Sequence, residues 1–340
     1  MNQKILGQYF TKKDRWLKAH IKEFITSSGC SEIYDPFAGN GDLLKLSDSL
    51  GITKVFGLDI DPKRDFQVND SLLKIPTRKN AIIVTNPPYL SNYSAKRKGI
   101  YDNTAKYFIG SEYNDLYLIA LEKMLQAQEC VVAIVPETFI NSNFKHKYRL
   151  NSITIVEENC FDDTETPICV LCFDGKAKGY SEIKVYRNDE YLNNLGYYEK
   201  LRLKPGKYIA ISFNDASGDI ALRAVDTTNP SSTIRFMKKE ELDYDLKGIK
   251  VSSRLITIVK LDKLKNDKLE SYLRECNKIL ASYRDKTNDV LLSPFKGNMK
   301  NGRRRRRLDY ETARAILENA YNNIFGEELL WTTSSYSNTR

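Results

Sequence analysis

The sequence predicts an α/β fold, a mostly parallel sheet covered by helices on both faces, followed by a second, smaller α+β domain. Three observations carry this expectation. Short apolar runs of strand length alternate with helical periodicity through the first half. The first of those strands ends in Asp35-Pro36-Phe37-Ala38-Gly39-Asn40-Gly41-Asp42, whose glycines permit a tight turn and close approach to a bound molecule. The charge is divided as well: 21 basic and 21 acidic side chains stand up to residue 173, and 32 and 23 beyond it, so the net charge of +9 belongs to the C-terminal part. Domains are therefore expected at 1–173 and 174–340, the second facing a polyanion.

The elements follow in order. Trp16, His20, Ile21, Phe24 and Ile25 recur at helical spacing and predict an amphipathic helix over 13–27. Strands are expected at Glu32–Asp35, Lys54–Asp59, Ala81–Thr85, Val131–Val135, Ile153–Val156 and Ile168–Phe173, with helices at Asp42–Leu50 and Asn114–Gln128. Beyond residue 173 the readings are strands at Ile183–Tyr186, Tyr208–Phe213 and Leu255–Val259, then helices at Leu264–Leu280 and Leu308–Ile324.

Composition excludes several classes. With 41% hydrophobic and 11% aromatic residues, the 340-residue chain is neither an acidic disordered polymer nor a disulfide-stapled miniature. The longest apolar runs, Cys130–Val135 and Ile168–Phe173, fall far short of the roughly 20 residues a spanning helix needs. Residues 1–10 lack a secretory pattern, so a cytoplasmic, reducing setting is expected, with no membrane partner. Cys169 and Cys172 form one CxxC, but there is no second, and His20 and His146 are distant in sequence; they read as core residues of a strand, and no metal site is expected.

Chemistry is expected beyond the carboxyl ends of the strands. Asp59 ends the second strand 18 residues past Gly41, near the spacing at which an acidic side chain meets a ribose; Asp70 could accept from an adenine amino group, and the alternative use of both is as turn residues. The most specific signal is Asn86-Pro87-Pro88-Tyr89, directly after the strand Ala81–Thr85. The prolines take the chain out of the sheet with fixed φ, so that the Asn86 side chain and the Pro87 carbonyl are expected to converge as two acceptors. Two acceptors and no donor suit a planar amino group on an sp² carbon: accepting both N–H bonds draws the nitrogen toward tetrahedral geometry and frees its lone pair for an electrophilic methyl. Tyr89 offers a flat face on which a heterocycle can stack.

At these residues the sequence resembles the γ-class S-adenosylmethionine-dependent adenine-N6 DNA methyltransferases of restriction-modification systems. The resemblance rests on the loop at 35–41, Asp59, Asp70 and Asn86–Tyr89, with Gly7-Gln8-Tyr9-Phe10-Thr11 similar to the motif that precedes the glycine loop in that class. It covers about residues 1–173 and implies a Rossmann-like, seven-stranded methyltransferase sheet with a DNA-recognition domain after it. It implies that Tyr9, Phe10 and Thr11 close over S-adenosyl-L-methionine, that Asp35 and the backbone of Phe37, Ala38 and Gly39 hold the methionine portion with Gly41 also at the cofactor, and that Asp59 takes the ribose hydroxyls. Ile60 packs on the adenine ring, Asp70 accepts from its amino group, and Pro88 touches the cofactor side. Asn86 and Pro87 orient the target amine, while Tyr89 and Phe161 close on the two faces of a flipped-out base; Phe161 alternatively serves as a core aromatic. Ser71 departs from the pattern, standing where these enzymes often carry an aromatic.

Duplex DNA is the expected partner, and a restriction endonuclease of the same system one that forms no stable complex. Lys96-Arg97-Lys98 lies in a polar stretch, 90–110, expected to be a mobile loop that orders on nucleic acid. Arg303-Arg304-Arg305-Arg306-Arg307 is expected in an exposed loop, for phosphate contact or as a solvated run. Basic and aromatic residues interleave from Tyr197-Tyr198 to Lys207-Tyr208 as on a groove-facing surface. An RNA adenine or a protein glutamine presents an amine of the same electronic type, and a third reading is a DNA-binding module with an inactive cofactor fold; cytosine-N4 transfer fits less well, because Asn rather than Ser opens the tetrad.

Overall fold

The computed structural model describes residues 14–161, 165–242, 255–262, 264 and 266–334, with side chains as far as 326. The chain divides into two compact units at 197/198. In the first, α1 (Ala19–Thr26) leads into β1 (Glu32–Asp35); a 3-10 turn and one-turn α2 (Ser47–Leu50) precede β2 (Lys54–Asp59), the short edge strand β3 (Gln67–Val68) and β4 (Ala81–Thr85). Then come α3 (Asn92–Arg97), α4 (Tyr101–Phe108), α5 (Leu116–Ala127), β5 (Cys130–Pro136), β6 (Leu150–Val156), β7 (Ile168–Asp174) and the hairpin β8 (Lys184–Arg187) and β9 (Glu190–Asn194), with α6 (Leu195–Leu201) crossing the unit boundary.

All nine strands form one sheet in the order β3-β2-β1-β4-β5-β7-β6-β8-β9. From β3 to β5 every pairing is parallel, and β7 runs antiparallel to both β5 and β6. The first seven strands thus form the expected mostly parallel α/β sheet. The sheet continues beyond seven because β8 pairs with β6 and β9 with β8, which moves the division of the chain from the expected 173 to 197/198. Counted at that division, the first unit carries 25 basic and 25 acidic side chains, so the net positive charge still lies beyond it.

The central strands are apolar throughout because both faces are covered: all five residues of β4 are buried, as are the middle five of β5. Trp16, Ile21 and Ile25 pack on one face with Ile33, Ile82, Val84 and Val132, while α5, apolar around most of its circumference, packs on β5. Cys169 and Cys172 are fully buried in β7. Three residues apart on a strand, they project to opposite faces and cannot share a ligand; burial pushes the Cys172 thiol up to about 12. No helix among the described residues is long and apolar enough to cross a membrane.

The second unit is α+β. β10 (Ile211–Phe213), β11 (Ile220–Arg223), β12 (Arg235–Lys238) and β13 (Ile256–Leu261) form an antiparallel sheet in the order β10-β13-β11-β12. The long helix α7 (Leu269–Thr287) packs on β12, a two-stranded ribbon of β14 (Ser293–Asn298) and β15 (Arg304–Arg307) follows, and α8 (Tyr310–Ser334) packs on α7.

Here the arginine run departs from expectation: it is a strand, and its side chains alternate. Arg304 and Arg306 are buried, Arg305 and Arg307 half-buried, and only Arg303 is exposed. Beside the strand lies Asp226, a fully buried carboxylate that accepts from both terminal nitrogens of Arg284 (2.9 and 3.0 Å), from the backbone of Ile234 (3.0 Å) and from the Arg306 backbone (3.0 Å). The Arg305 guanidinium lies 4.8 Å above the Phe295 ring and donates to the Asp226 carbonyl (2.8 Å). The bond from the Arg306 backbone sets the strand against Asp226, and the period of two turns the Arg304 and Arg306 side chains inward, so two of the five arginines expected at DNA phosphates belong to the interior. Nor is the stretch from Tyr197 a continuous open face: Tyr198 is buried and Arg202 is held bidentate by Glu199.

Candidate functional site

The strand order reverses between β1 and β4, which lie side by side with β2 and β3 on one flank and β5 on the other. Loops leaving the carboxyl ends of such neighbours diverge and open a crevice. The loop after β1 is 35–41, and the loop after β4 is Asn86–Tyr89.

Asp35 ends β1 with 1% exposure. Its Oδ1 accepts from the Phe37 N–H (2.9 Å) and from the hydroxyl of Thr85, the last residue of β4 (2.5 Å), so one carboxylate ties the two loops at their roots. Burial pushes the Asp35 carboxyl up to about 7; the bonds from Thr85 and Phe37 oppose that rise, and the nearby Asp59 charge adds to it.

Asp59 ends β2, buried, with Oδ2 accepting from the Gly39 N–H (2.8 Å) and Oδ1 from the Asp61 N–H (2.8 Å). The Ala38 N–H goes to the Leu58 carbonyl (2.8 Å). The backbone donors of Phe37, Ala38 and Gly39, which the resemblance assigns to the methionine portion, are therefore committed to shaping their own loop. Gly39 (φ +56°) and Gly41 (φ +73°) adopt left-handed backbone.

Phe66, which sequence reading did not single out, explains two of the glycines. Its ring covers the loop so closely that a Cβ on Gly41 would come within 2.9 Å of it, and one on Gly57, inside β2, within 2.5 Å. A glycine inside an otherwise β-prone strand was the available signal. Arg64 reaches from the loop after β2 to the Asn40 side chain. Ile60 is 45% exposed, an apolar face beside Asp59 open to a planar ligand.

Asp70 follows β3. Its Oδ2 accepts from Lys106 Nζ (2.8 Å) and the Tyr107 hydroxyl (3.0 Å), both on α4, while its Oδ1 is buried with no hydrogen-bond partner. Ser71 is buried and accepts from the Asn69 side chain (2.9 Å), a small polar packing residue at the position where an aromatic is missing.

In the tetrad, Pro87 and Pro88 are buried and Asn86 and Tyr89 half-buried; the Asn86 side-chain oxygen is sequestered from solvent. The Tyr89 hydroxyl donates to the Ile134 carbonyl on β5 (2.9 Å), which fixes the ring. Phe161 comes to it edge-on, centroids 6.4 Å apart and planes 73° apart. The two aromatics expected to clamp a base are thus neighbours, with Phe161 only 3% exposed and part of the core cluster. Tyr9, Phe10 and Thr11 lie outside the described residues.

The stretch expected as a mobile loop is a helical pair. The Ser91 side chain caps α3 by accepting from the Ser94 N–H (3.1 Å); Ala95 of α3 and Thr104 and Phe108 of α4 are buried. Lys96, Arg97 and Lys98 are all exposed; Lys96 lies 4.9 Å over the Tyr101 ring and Arg97 5.9 Å over Tyr93. The site therefore combines an acidic, glycine-lined crevice with an amide-and-proline loop beside an exposed cationic helix. Such a set offers hydrogen-bond acceptors of the kind that the hydroxyl and amino groups of a nucleoside, or a planar amine, would need.

Residues 53–163 match the family model of the Eco57I restriction-modification methylases. No curated protein matches the chain. Among solved structures, similarity is found to a protein described as a class I S-adenosylmethionine-dependent methyltransferase from Listeria monocytogenes (13% identity, TM-score 0.38, covering 53% of this chain and 66% of that one). It is found also to a type I restriction-modification methyltransferase subunit from Streptococcus thermophilus (16%, TM-score 0.38, 57% and 52%) and to a protein described as a type I modification subunit from Vibrio vulnificus YJ016 (14%, TM-score 0.36, 78% and 61%). The matched parts span less than two thirds of each of those structures, and the fold assignment rests on the strand order rather than on these likenesses. From β2 through Phe161, where the family model applies, the resemblance to restriction-modification methylases read from the sequence is borne out.

Proposed function

We propose that this chain is an S-adenosylmethionine-dependent adenine-N6 methyltransferase acting on duplex DNA in the cytoplasm, the modification partner of a restriction endonuclease with which it forms no stable complex. The observation that carries the reading is the Thr85–Asp35 bond, which holds the amine-orienting loop and the glycine loop together at the switch point of the sheet. The Eco57I family match across the tetrad supports it, as does the positive charge beyond residue 197.

The residues fit the cofactor. A nucleoside needs an acceptor for its diol, one for its amino group and an apolar face for its base. Asp59, each of whose oxygens keeps a second lone pair, meets the first need; the unpartnered Asp70 Oδ1 meets the second, and Ile60 the third. Bound there, S-adenosylmethionine supplies a methyl group activated by its sulfonium. The chain's own part is to make a poor nucleophile adequate: the Asn86 side-chain oxygen and the Pro87 carbonyl accept the two N–H bonds of the target amine, keeping its lone pair out of the ring. Tyr89, anchored through its hydroxyl, stacks on the base, and Phe161 turns from its edge-on packing to cover the other face. Extrusion of the base costs a few kcal/mol, which this stacking offsets. Lys96, Arg97, Lys98 and the outward Arg303 contact phosphates.

The test is Asn86→Ala. Methyl transfer to duplex DNA is expected to fall by about 10²-fold or more, the scale seen when one preorganised polar contact to a reacting group is removed, while calorimetric affinity for S-adenosylhomocysteine stays within about twofold of wild type. Undiminished transfer would overturn the proposal.

A further inference from the structure

Asp70 is held in an unequal way. One carboxylate oxygen takes two donors, the Lys106 ammonium at 2.8 Å and the Tyr107 hydroxyl at 3.0 Å, and the other is buried and takes none. Its backbone is pinned too, since the Asp70 carbonyl accepts from the N–H groups of Leu73 (3.0 Å) and Lys74 (3.2 Å). A carboxylate on a free side chain rotates and presents either oxygen; one gripped at Oδ2 by two donors on a neighbouring helix presents only Oδ1. A buried acceptor left unpaired in the folded chain is unfavourable unless a ligand donor meets it.

The two donors suit the task differently. Lys106 is about half exposed and contributes charge at the surface, whereas the Tyr107 phenol is half-buried. Burial and the Asp70 charge raise the Tyr107 pKa, so the hydroxyl stays protonated and donates to Oδ2 throughout the neutral range. Neither residue belongs to the motifs that mark the site in sequence; both lie on α4, in the segment that leaves the tetrad.

We infer that Tyr107, assisted by Lys106, is a positioning residue that turns the free oxygen of Asp70 toward the exocyclic amino group of the bound nucleoside, and so makes the cofactor site select a 6-aminopurine over a 6-oxopurine. This rests on the cofactor reading above and extends it to two residues and to a discrimination. A 6-oxopurine places an acceptor where the amino group donates, so two acceptors would face each other across a buried contact. The selectivity comes as much from that repulsion as from the bond gained.

The experiment is calorimetric titration of S-adenosylhomocysteine and of its deaminated analogue, S-inosylhomocysteine, into the full chain. Wild type is expected to prefer the adenosyl ligand by roughly ten- to hundredfold, the value of one hydrogen bond to a charged group. In Tyr107→Phe that ratio is expected to shrink by about fivefold or more, because adenosyl affinity falls while inosyl affinity barely moves. Lys106→Gln, on the exposed side of the helix, should shift the ratio the same way by a smaller factor, and it tests the inference should Tyr107→Phe fail to fold. An unchanged ratio in both variants, or equal weakening of both ligands as a merely structural role would give, overturns the inference. If wild type binds neither ligand, the cofactor reading itself fails, an outcome distinct from either of those.

Discussion

Asp35 carries out two tasks with one oxygen, accepting from Thr85 and from Phe37, in surroundings that resist its charge. Burial pushes its carboxyl up to about 7 in the folded protein, from an ordinary value of 3.8. Between those values the folded chain holds a proton that the unfolded chain has released. Its stabilising contribution is therefore complete below the unfolded value and is lost as pH rises through the folded one. Against Asp35→Asn, which cannot ionise, urea unfolding of wild type should show a loss of stability on the order of a few kcal/mol between about pH 4 and about pH 7. Parallel profiles for the two proteins would contradict this account of Asp35. At this scale the sequence was legible where chemistry has a fixed spacing: Asp35 and Asp59 end their strands, and Asp70 and the tetrad follow the carboxyl ends of theirs. It was not legible where function depends on who meets whom across the fold. Nothing local marks Tyr107 as the partner of Asp70 or Phe66 as the ring over Gly41, because those contacts join residues from separate elements.

Among the elements, β15 shows how composition misleads. Five consecutive arginines read as a solvated run because nothing in their local chemistry favours burial. Yet β15 pairs with β14 beside the buried Asp226, and the period of two sends alternate guanidinium groups inward. The consequence is measurable. Arg306→Ala should cost on the order of 3 kcal/mol in denaturant unfolding, because it empties the space of one of the largest fully buried side chains. Arg303→Ala, on an exposed side chain, should change stability by less than about 0.5 kcal/mol and should instead weaken duplex binding. Equal stability effects from the two would contradict the alternation. The helical pair α3 and α4 was missed for the opposite reason: each helix is only two turns or so, and its polar face outweighs the apolar positions Ala95, Thr104 and Phe108. The long apolar strands β4, β5 and β7 were plain in the sequence because burial on both faces leaves only apolar residues to choose from.

For the molecule as a whole, the strand order makes the site. Placing β1 beside β4 brings a glycine loop and an amide-and-proline loop to one crevice from positions some fifty residues apart in the chain. The alternation of strands and helices announced the parallel sheet, and its extension by β8 and β9 was hidden because a short edge hairpin reads like the start of a new domain. The positive charge, however, falls on the second unit wherever the boundary is drawn between 173 and 197. Whether the crevice transfers a methyl group to the exocyclic nitrogen of adenine is measured most directly by the identity of the methylated product. Duplex DNA incubated with the protein and methyl-labelled S-adenosylmethionine, then digested to nucleosides and resolved by mass spectrometry, should carry the label as N6-methyldeoxyadenosine, lowered about 10²-fold or more with Asn86→Ala. Label on N4 of cytosine, on RNA or protein in preference to DNA, or on nothing at all would contradict the account.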